Sequence, residues 1–530
     1  MKSIIVIGSG LSAVGAIKRL IEDGFRPTVL DYGMDPPSHI NQLKYDIRKN
    51  DVDSWNSSQR EMFAQISKNQ DGETLPTKTF LGSRYFYGTS IPQAITKPVG
   101  PIPPFSYAKG GLSIGWGAAV LPPKRSDIDS WPINYNELIN SIEAILKDLP
   151  FCASTDELDK EFPLLTKTAI SIHPSLATQD LLARLRNNLA TKPNRFAFGE
   201  ARLLLDLHSS SRSACKYCGE CMSGCAFDSI YKSKLSIEKW VEQGLIRYQS
   251  GVLVQKLVDD GEAVRIQATL KDGSHIEQVA DHVFLAAGAV NSFRIIAQSS
   301  NTNYKHGRAL TRGGFVVPIL TFKGLKNDWP LTNTMPSLFV ETRPTRKDRW
   351  MHIQLSLHNE IFIRKIQQIP YIKKFNLEWL CDLFSSHIYL GFVNLHSDYA
   401  GQYKLEMATL AADPASSMLL TTYSEPKLSI TRKAKIWLEI LRIFLSIGCF
   451  PLIPLARRNN RSYHVAGTLP MKEYPDKPLT TDPLGRPYGF HKVNVVDSST
   501  YPCLPGTTIG LIAMGNAYRI VKLLSLRNLG

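Results

Sequence analysis

Half of the eight cysteines fall in one short run, CKYCGECMSGC, from Cys215 to Cys225. Thiolates at this spacing can wrap an iron–sulfur cluster. The order Cys215-x2-Cys218-x2-Cys221-x3-Cys225 matches a ferredoxin run, except that Ala226 stands where proline is usual. A chain with one such run must either turn Cys225 back onto the same cluster, as a [4Fe-4S] site, or leave a [3Fe-4S] site. Cys152 or Cys503 offers a further ligand from afar. Zinc binding and a metal-free packed loop are the two other readings of the same residues.

A second group of residues suits phosphate binding. Gly8-Ser9-Gly10-Leu11-Ser12-Ala13 follows an apolar strand pattern from Lys2 to Ile7 and opens a helical pattern that runs to Asp23. A second strand, Thr28 to Leu30, ends at Asp31. Strand, glycine turn, helix, strand and acid form the unit that binds a dinucleotide. Gly8 permits the tight turn, and Gly10 lets backbone approach a pyrophosphate. Ala13 replaces the third glycine at the helix–strand contact. The N–H groups at the helix start face the phosphates, and Asp31 is placed to accept from ribose hydroxyls. Two further stretches, Lys109 to Pro123 (KGGLSIGWGAAVLPP) and Ala286-Ala287-Gly288-Ala289, read as close-approach turns.

The elements that must position these residues can be read along the chain. Residues 36–100 read as an irregular, Pro- and Ser-rich excursion. An amphipathic helix starts at about Tyr135. After the cysteine loop come a helix near Lys234–Gln243, strands over Leu245–Leu257 and Ala263–Leu270, and a buried strand over Val283–Gly288. From about 311 to 455 the texture changes to MHIQLSLHN, HIYLGFVNLHS and KLSIT, read as strands of a separate antiparallel sheet closed by a helix around Ile436. The end of the chain returns to strand, turn and helix, the last helix starting at Ile509.

Composition excludes several classes. Apolar residues make up 43% and charged ones 21%, ordinary for a globular protein with a large core. Lys and Arg number 62 against 47 Asp and Glu, a net charge of +15 that favours anionic partners. No zinc-finger histidines, arginine-rich arm or basic heptad helix accompanies it, so nucleic acid is not an expected partner. The opening MKSIIVIGSGLS lacks the unbroken apolar core of a secretory signal. The most apolar stretch, Ile436 to Leu455, carries Glu439, Arg442 and two prolines and reads as a core helix. The expected setting is cytoplasmic, where thiols stay reduced. Arg432, Lys433, Lys435, Arg457, Arg458 and Arg461 flank that stretch and leave peripheral membrane contact as an alternative.

Taken in order, GSGLSA…VLD, KGGLSIGWGAAV, DSW…Y.EL, GVLVQKL, LAAGAVNS, SYHVAGT and VNVVDSSTYP resemble the glucose–methanol–choline (GMC) family of flavin oxidoreductases. The resemblance implies an α/β chain, α+β overall, with a Rossmann-like FAD-binding domain and an inserted antiparallel-sheet substrate domain. The FAD domain would comprise 1–130, 196–310 and 462–530, the substrate domain 131–195 and 311–461, and the cysteine loop 214–226. Gly8, Gly10, Ser12 and Ala13 would serve the FAD pyrophosphate and Asp31 the adenosine ribose. Gly110, Gly111 and Ser113 would lie along the flavin and ribityl. Val254 would bond the adenine edge through its backbone, with Ala287 and Gly288 near the adenosine half. Asp497 would hold the pyrophosphate–ribityl region, and Thr508 the following helix start.

His464, in the His-x-x-Gly-Thr setting, matches the family's active-site histidine. It would take the proton of a substrate hydroxyl while the carbon's hydride goes to flavin N5. The family places a second His or Asn on the loop before the last helix. Counting back without a gap puts Leu504 there; a shorter loop brings Thr507 or Thr508. The implied activity is oxidation of an alcohol or sugar hydroxyl to a carbonyl, with a cluster at the cysteine loop passing electrons to a redox-protein acceptor. A non-redox FAD-binding lyase or isomerase, and an electron-transfer subunit with a degenerate site, are the alternatives.

Overall fold

The computed structural model describes residues 2–55, 79–88, 99–167, 169–189, 195–300, 305–322, 336–357, 367, 370–384, 387–410, 413–426, 428–452, 454 and 463–524. Its centre is a five-stranded parallel sheet. The strand order is Val493–Val495, His282–Leu285, Ile4–Ile7, Thr28–Leu30 and Arg247–Gln249. Side chains alternate across a strand, so each face of this sheet needs its own cover. Ile4 and Val6 pack against Ala13, Ile17 and Leu20 of the helix Leu11–Glu22 and against Ile520 and Val521 of the helix Gly510–Leu524. Ile5 and Ile7 face the other way, onto Val252, Val254, Ile266 and the helix Ala289–Ser299. The strands Val252–Asp259, Val264–Leu270 and His275–Ala280 form a small antiparallel sheet on that side.

The second large element is a six-stranded antiparallel sheet. Its order is Cys449–Pro451, Gly313–Thr321, Ile388–Leu395, Met351–Ser356, Leu338–Thr342 and Phe196–Glu200. One face is closed by the helices Leu176–Leu189 and Ile430–Ser446. The α/β character expected from the sequence, a parallel nucleotide-type sheet with an antiparallel sheet inserted, is the architecture observed.

Some boundaries differ. Phe196–Glu200, expected in the nucleotide-binding part, is an edge strand of the antiparallel sheet, paired with Leu338–Thr342. Gln402–Leu410, expected in the substrate part, pairs with His306–Thr311, and Asp413–Ser424 pairs with Gln402–Leu410 at the edge of the same four-stranded sheet. That sheet packs Tyr403, Leu405 and Met407 onto the core of the parallel sheet. Apolar strand pattern alone does not say which of two cores a strand joins. KLSIT is not a strand: the Ser429 hydroxyl accepts from the Arg432 N–H at 3.3 Å and caps the helix Ile430–Ser446. Of the excursion at 36–100, Ser38–Arg48 forms a helix, while 56–78 and 89–98 lie outside the described residues.

Candidate active site

The first glycine turn is set by steric need. Gly8 has φ +101°, and a Cβ there would stand 2.5 Å from the Ala286 carbonyl oxygen, so the turn must pass close beneath the neighbouring strand end. Gly10 is the reverse case. A Cβ on it would meet nothing within 4 Å, because it borders a cavity of about 400 Å³. Gly10 is also the N-cap of the helix Leu11–Glu22, and no side chain caps that end. Gly10, Leu11 and Ser12 line the cavity, so the uncapped helix start forms part of its wall. Ala13 is buried between helix and sheet and does not reach the cavity.

Asp31 lines the same end. Its Oδ2 accepts from the Ser9 hydroxyl and, at 2.9 Å, from the Tyr248 hydroxyl. Burial pushes this carboxyl up to about 6, opposed by those two donors and the backbone N–H groups of Gly33 and Tyr32. Ser9 in turn accepts from the Gly110 N–H at 2.8 Å, which ties the first glycine turn to the second. Gly110 (φ +94°) stands behind the wall against Lys234, while Gly111 and Ser113 line the cavity. The Ser113 hydroxyl is already used: it donates to the Gly110 carbonyl at 2.6 Å and accepts from the Ser233 N–H at 3.0 Å.

Val254, Ala287, Gly288, Asp497 and Thr508 also line the cavity. The Val254 carbonyl accepts from Arg294 Nη2 at 2.8 Å. Both Asp497 oxygens are bound within the protein. Oδ2 accepts from the Gly288 N–H at 2.8 Å and the Ser292 hydroxyl at 2.6 Å, and Oδ1 accepts from Ser499. Asp497 therefore shapes the cavity by tying two turns together rather than by offering a free oxygen. The Thr508 hydroxyl accepts from the Leu121 N–H at 2.8 Å, next to the start of the last helix.

The far end of the cavity is built by other elements. His464 lines it from the segment before the short strand Val465–Ala466, which pairs with Leu310–Thr311. Arg312 follows Thr311, lines the cavity, and donates through Nη1 to the Gly506 and Thr507 carbonyls at 3.1 and 2.8 Å. Gln354, Ser356, Phe392 and Asn394 come from the open face of the six-stranded sheet. Arg312, Gln354 and Asn394 carry no sequence signal of their own. Each is brought here by strand pairing across long chain separations.

Leu504, at the position counted for a second polar residue, is fully buried in the core and does not border the cavity. Thr507 does not border it either, and its buried hydroxyl has no hydrogen-bond partner among the described residues. Thr507 thus stands behind the cavity wall, and the loop turns its backbone carbonyls toward Arg312.

The cysteine loop packs without an evident ligand set. Among the described residues no group of three or more His, Cys, Asp or Glu side chains is arranged to hold a metal, so Cys215, Cys218, Cys221 and Cys225 do not form the expected ligand set. They divide between two cores. Cys215 and Cys221 pack on the large cluster around Trp131 and Leu204, Cys218 on the aromatic cluster around Phe80 and Phe86, and Cys225 on both. Burial, with the neighbouring Cys221 and Cys225 adding to it, pushes the Cys215 thiol up to about 12 and the Cys218 thiol well above its ordinary value. Positive φ at Tyr217, Gly219 and Gly224 gives the loop its tight turns.

No family model matches the chain, and no curated protein matches it in sequence. Its shape has a known counterpart. The fold is that of pyridoxine 4-oxidase from Mesorbium loti. The likeness covers 99% of each chain with a TM-score of 0.59 at 14% sequence identity, which establishes shared architecture and not shared substrate. The glycine turns and His464 line one cavity. No described helix is long and apolar enough to cross a membrane.

Proposed function

We propose that the chain is an FAD-dependent oxidoreductase of the GMC type that oxidises an alcohol to a carbonyl. The observation that carries this reading is the continuity of the cavity from Gly8, Gly10 and Asp31 to His464. The residues fit a dinucleotide. The helix start at Gly10 is uncapped, and Gly10 and Gly288 open onto free space where a side chain would otherwise stand. Asp31 is an acceptor at the ribose end. Bound FAD supplies a two-electron acceptor for the substrate carbon.

The protein's own residues do the rest. The glycine turns, the helix start at Gly10 and Thr508 beside the last helix would hold the cofactor. His464 takes the proton of the substrate hydroxyl. Arg312, held by the Gly506 and Thr507 carbonyls, places a fixed cation at the same end, which favours the deprotonated form of the substrate oxygen. An iron–sulfur exit is not part of this reading, because the described thiols form no ligand set.

The test is spectroscopic. Purified protein should show bound flavin, and a primary alcohol added without oxygen should bleach its visible band. Protein that binds no flavin would overturn the proposal. Flavin that binds but is never bleached by any alcohol would favour the lyase or isomerase alternative, for which the burial of Leu504 is the motivating observation.

A further inference from the structure

The wall opposite the glycine turns contains a buried polar chain that no expected role accounts for. Glu341 pairs with His352 across neighbouring strands, and His352 pairs with Asn394 on the next. Gln354 lies two residues beyond His352, on the same face. Glu341 and His352 are completely buried. Glu341 Oε1 is hydrogen-bonded to His352 Nδ1, and Gln354 Nε2 lies 2.8 Å from His352 Nε2.

The geometry is that of a Glu341 carboxylate accepting from His352 Nδ1–H, with His352 Nε2 accepting from the amide NH2 of Gln354. The Gln354 carbonyl oxygen is thereby turned away from the ring, and Gln354 lines the cavity. Asn394 is set the same way. Its Nδ2 donates to the backbone carbonyls of Phe392 at 3.0 Å and His352 at 3.3 Å, which leaves its carbonyl oxygen on the other side. Neither oxygen has a hydrogen-bond partner among the described residues. Phe392, Val316, Pro336 and Met222 make the wall around them apolar apart from the Ser356 hydroxyl and the Arg312 guanidinium.

We propose that Gln354 and Asn394 form a two-acceptor subsite that selects alcohols carrying a further hydroxyl group, with Glu341 and His352 as positioning residues that hold Gln354 in its acceptor orientation. This rests on the alcohol-oxidising reading and adds the substrate class to it. Two acceptors in an apolar wall discriminate because a substrate without a donor leaves both unpaired. Arg312 at the same end makes a neutral hydroxyl the fitting donor, since an ammonium group would meet that fixed cation.

The test compares 3-hydroxybenzyl alcohol with benzyl alcohol on flavin-loaded full-length protein, reading the rate and concentration dependence of anaerobic flavin bleaching. The hydroxylated alcohol should have the higher kcat/KM by about tenfold, the order expected for one neutral hydrogen bond. Gln354→Leu and Asn394→Leu should each reduce that preference severalfold through KM. His352→Phe, which touches no substrate, should reduce it too. Equal rates for both alcohols in the unaltered protein overturn the subsite and leave the oxidoreductase reading standing. If neither alcohol bleaches the flavin, it is the redox reading that fails with these probes. The subsite is then judged by 15N NMR of the histidines, with His352→Phe identifying the signal. A hydrogen on Nδ1 alone supports the subsite. A hydrogen on Nε2 overturns it, because that nitrogen would then need the Gln354 oxygen.

Discussion

Gly15 lies flat against the backbone of Met514: a Cβ built on Gly15 would stand 2.0 Å from the Met514 carbonyl oxygen and 2.9 Å from its Cα. The two residues belong to the first and last helices of the described chain, and both helices start at the cavity. Their close approach sets the spacing of the two helix starts that flank the cavity. Gly15→Ala forces backbone apart and cannot be relieved by a side-chain rotation. It should destabilise the protein by about 1–3 kcal/mol, read as a lower thermal midpoint, with flavin retained less well. An unchanged midpoint would show that the helices separate without cost.

Acid should weaken the parallel sheet through His282. This ring is buried, its Nε2 is 2.7 Å from Asn494 Oδ1, and burial lowers its pKa to about 4. Asn494 is itself anchored, donating to the Leu484 carbonyl at 2.8 Å. Below the ordinary value of about 6.5 the unfolded chain gains a proton at this residue and the folded chain does not. Stability is therefore full above pH 6.5, declines as pH falls, and levels off below about 4. A shift of this size corresponds to on the order of 3 kcal/mol. Urea unfolding as a function of pH should show the decline, and His282→Asn should flatten that part of the profile.

Asp497 should matter for architecture more than for direct cofactor contact. Its oxygens hold Gly288, Ser292 and Ser499 together beneath the cavity. Asp497→Ala leaves those buried donors unpaired, at about 1–3 kcal/mol for each one left unsatisfied. The expected result is a lower thermal midpoint even in flavin-free protein. If flavin-free stability were unchanged and only flavin binding fell, a direct role would be indicated instead.

His464→Ala should keep flavin and lose turnover. Removing a positioned base costs about 10²–10⁴ in rate. The measurement is the rate of anaerobic flavin bleaching at matched flavin occupancy. A variant as fast as the parent would remove His464 from the chemistry.

What could be read from the chain and what could not separate along one physical line. Gly8, Gly10 and Asp31 are linked through consecutive elements, and each is demanded by a local constraint: a positive φ, an open approach, a strand end. Local constraints leave their mark in residue type and spacing. The alternating faces of Ile4–Ile7 are legible for the same reason.

Counting along the chain failed where the answer depended on packing. Leu504 occupies the expected position in number but is drawn into the core, while Gly506 is pressed against the backbone of Trp350 and Asn394, where a Cβ would lie 2.5 Å from the Trp350 carbonyl oxygen. The cysteines have metal-like spacing, yet their loop turns through Tyr217 and Gly219 and shares its thiols between two apolar clusters. Spacing fixes how far apart ligands are along the backbone, not the direction in which their sulfurs point.

The sequence alone determined the dinucleotide-type turn, the presence of two sheet systems and the candidate base His464. Only the tertiary structure decided which residues share the far wall with that base. Arg312 arrives by following a strand paired beside His464. Gln354 and Asn394 arrive because antiparallel register sets Glu341, His352 and Asn394 side by side. Register is a property of strands chosen as partners across long loops, and no single segment of the chain encodes it.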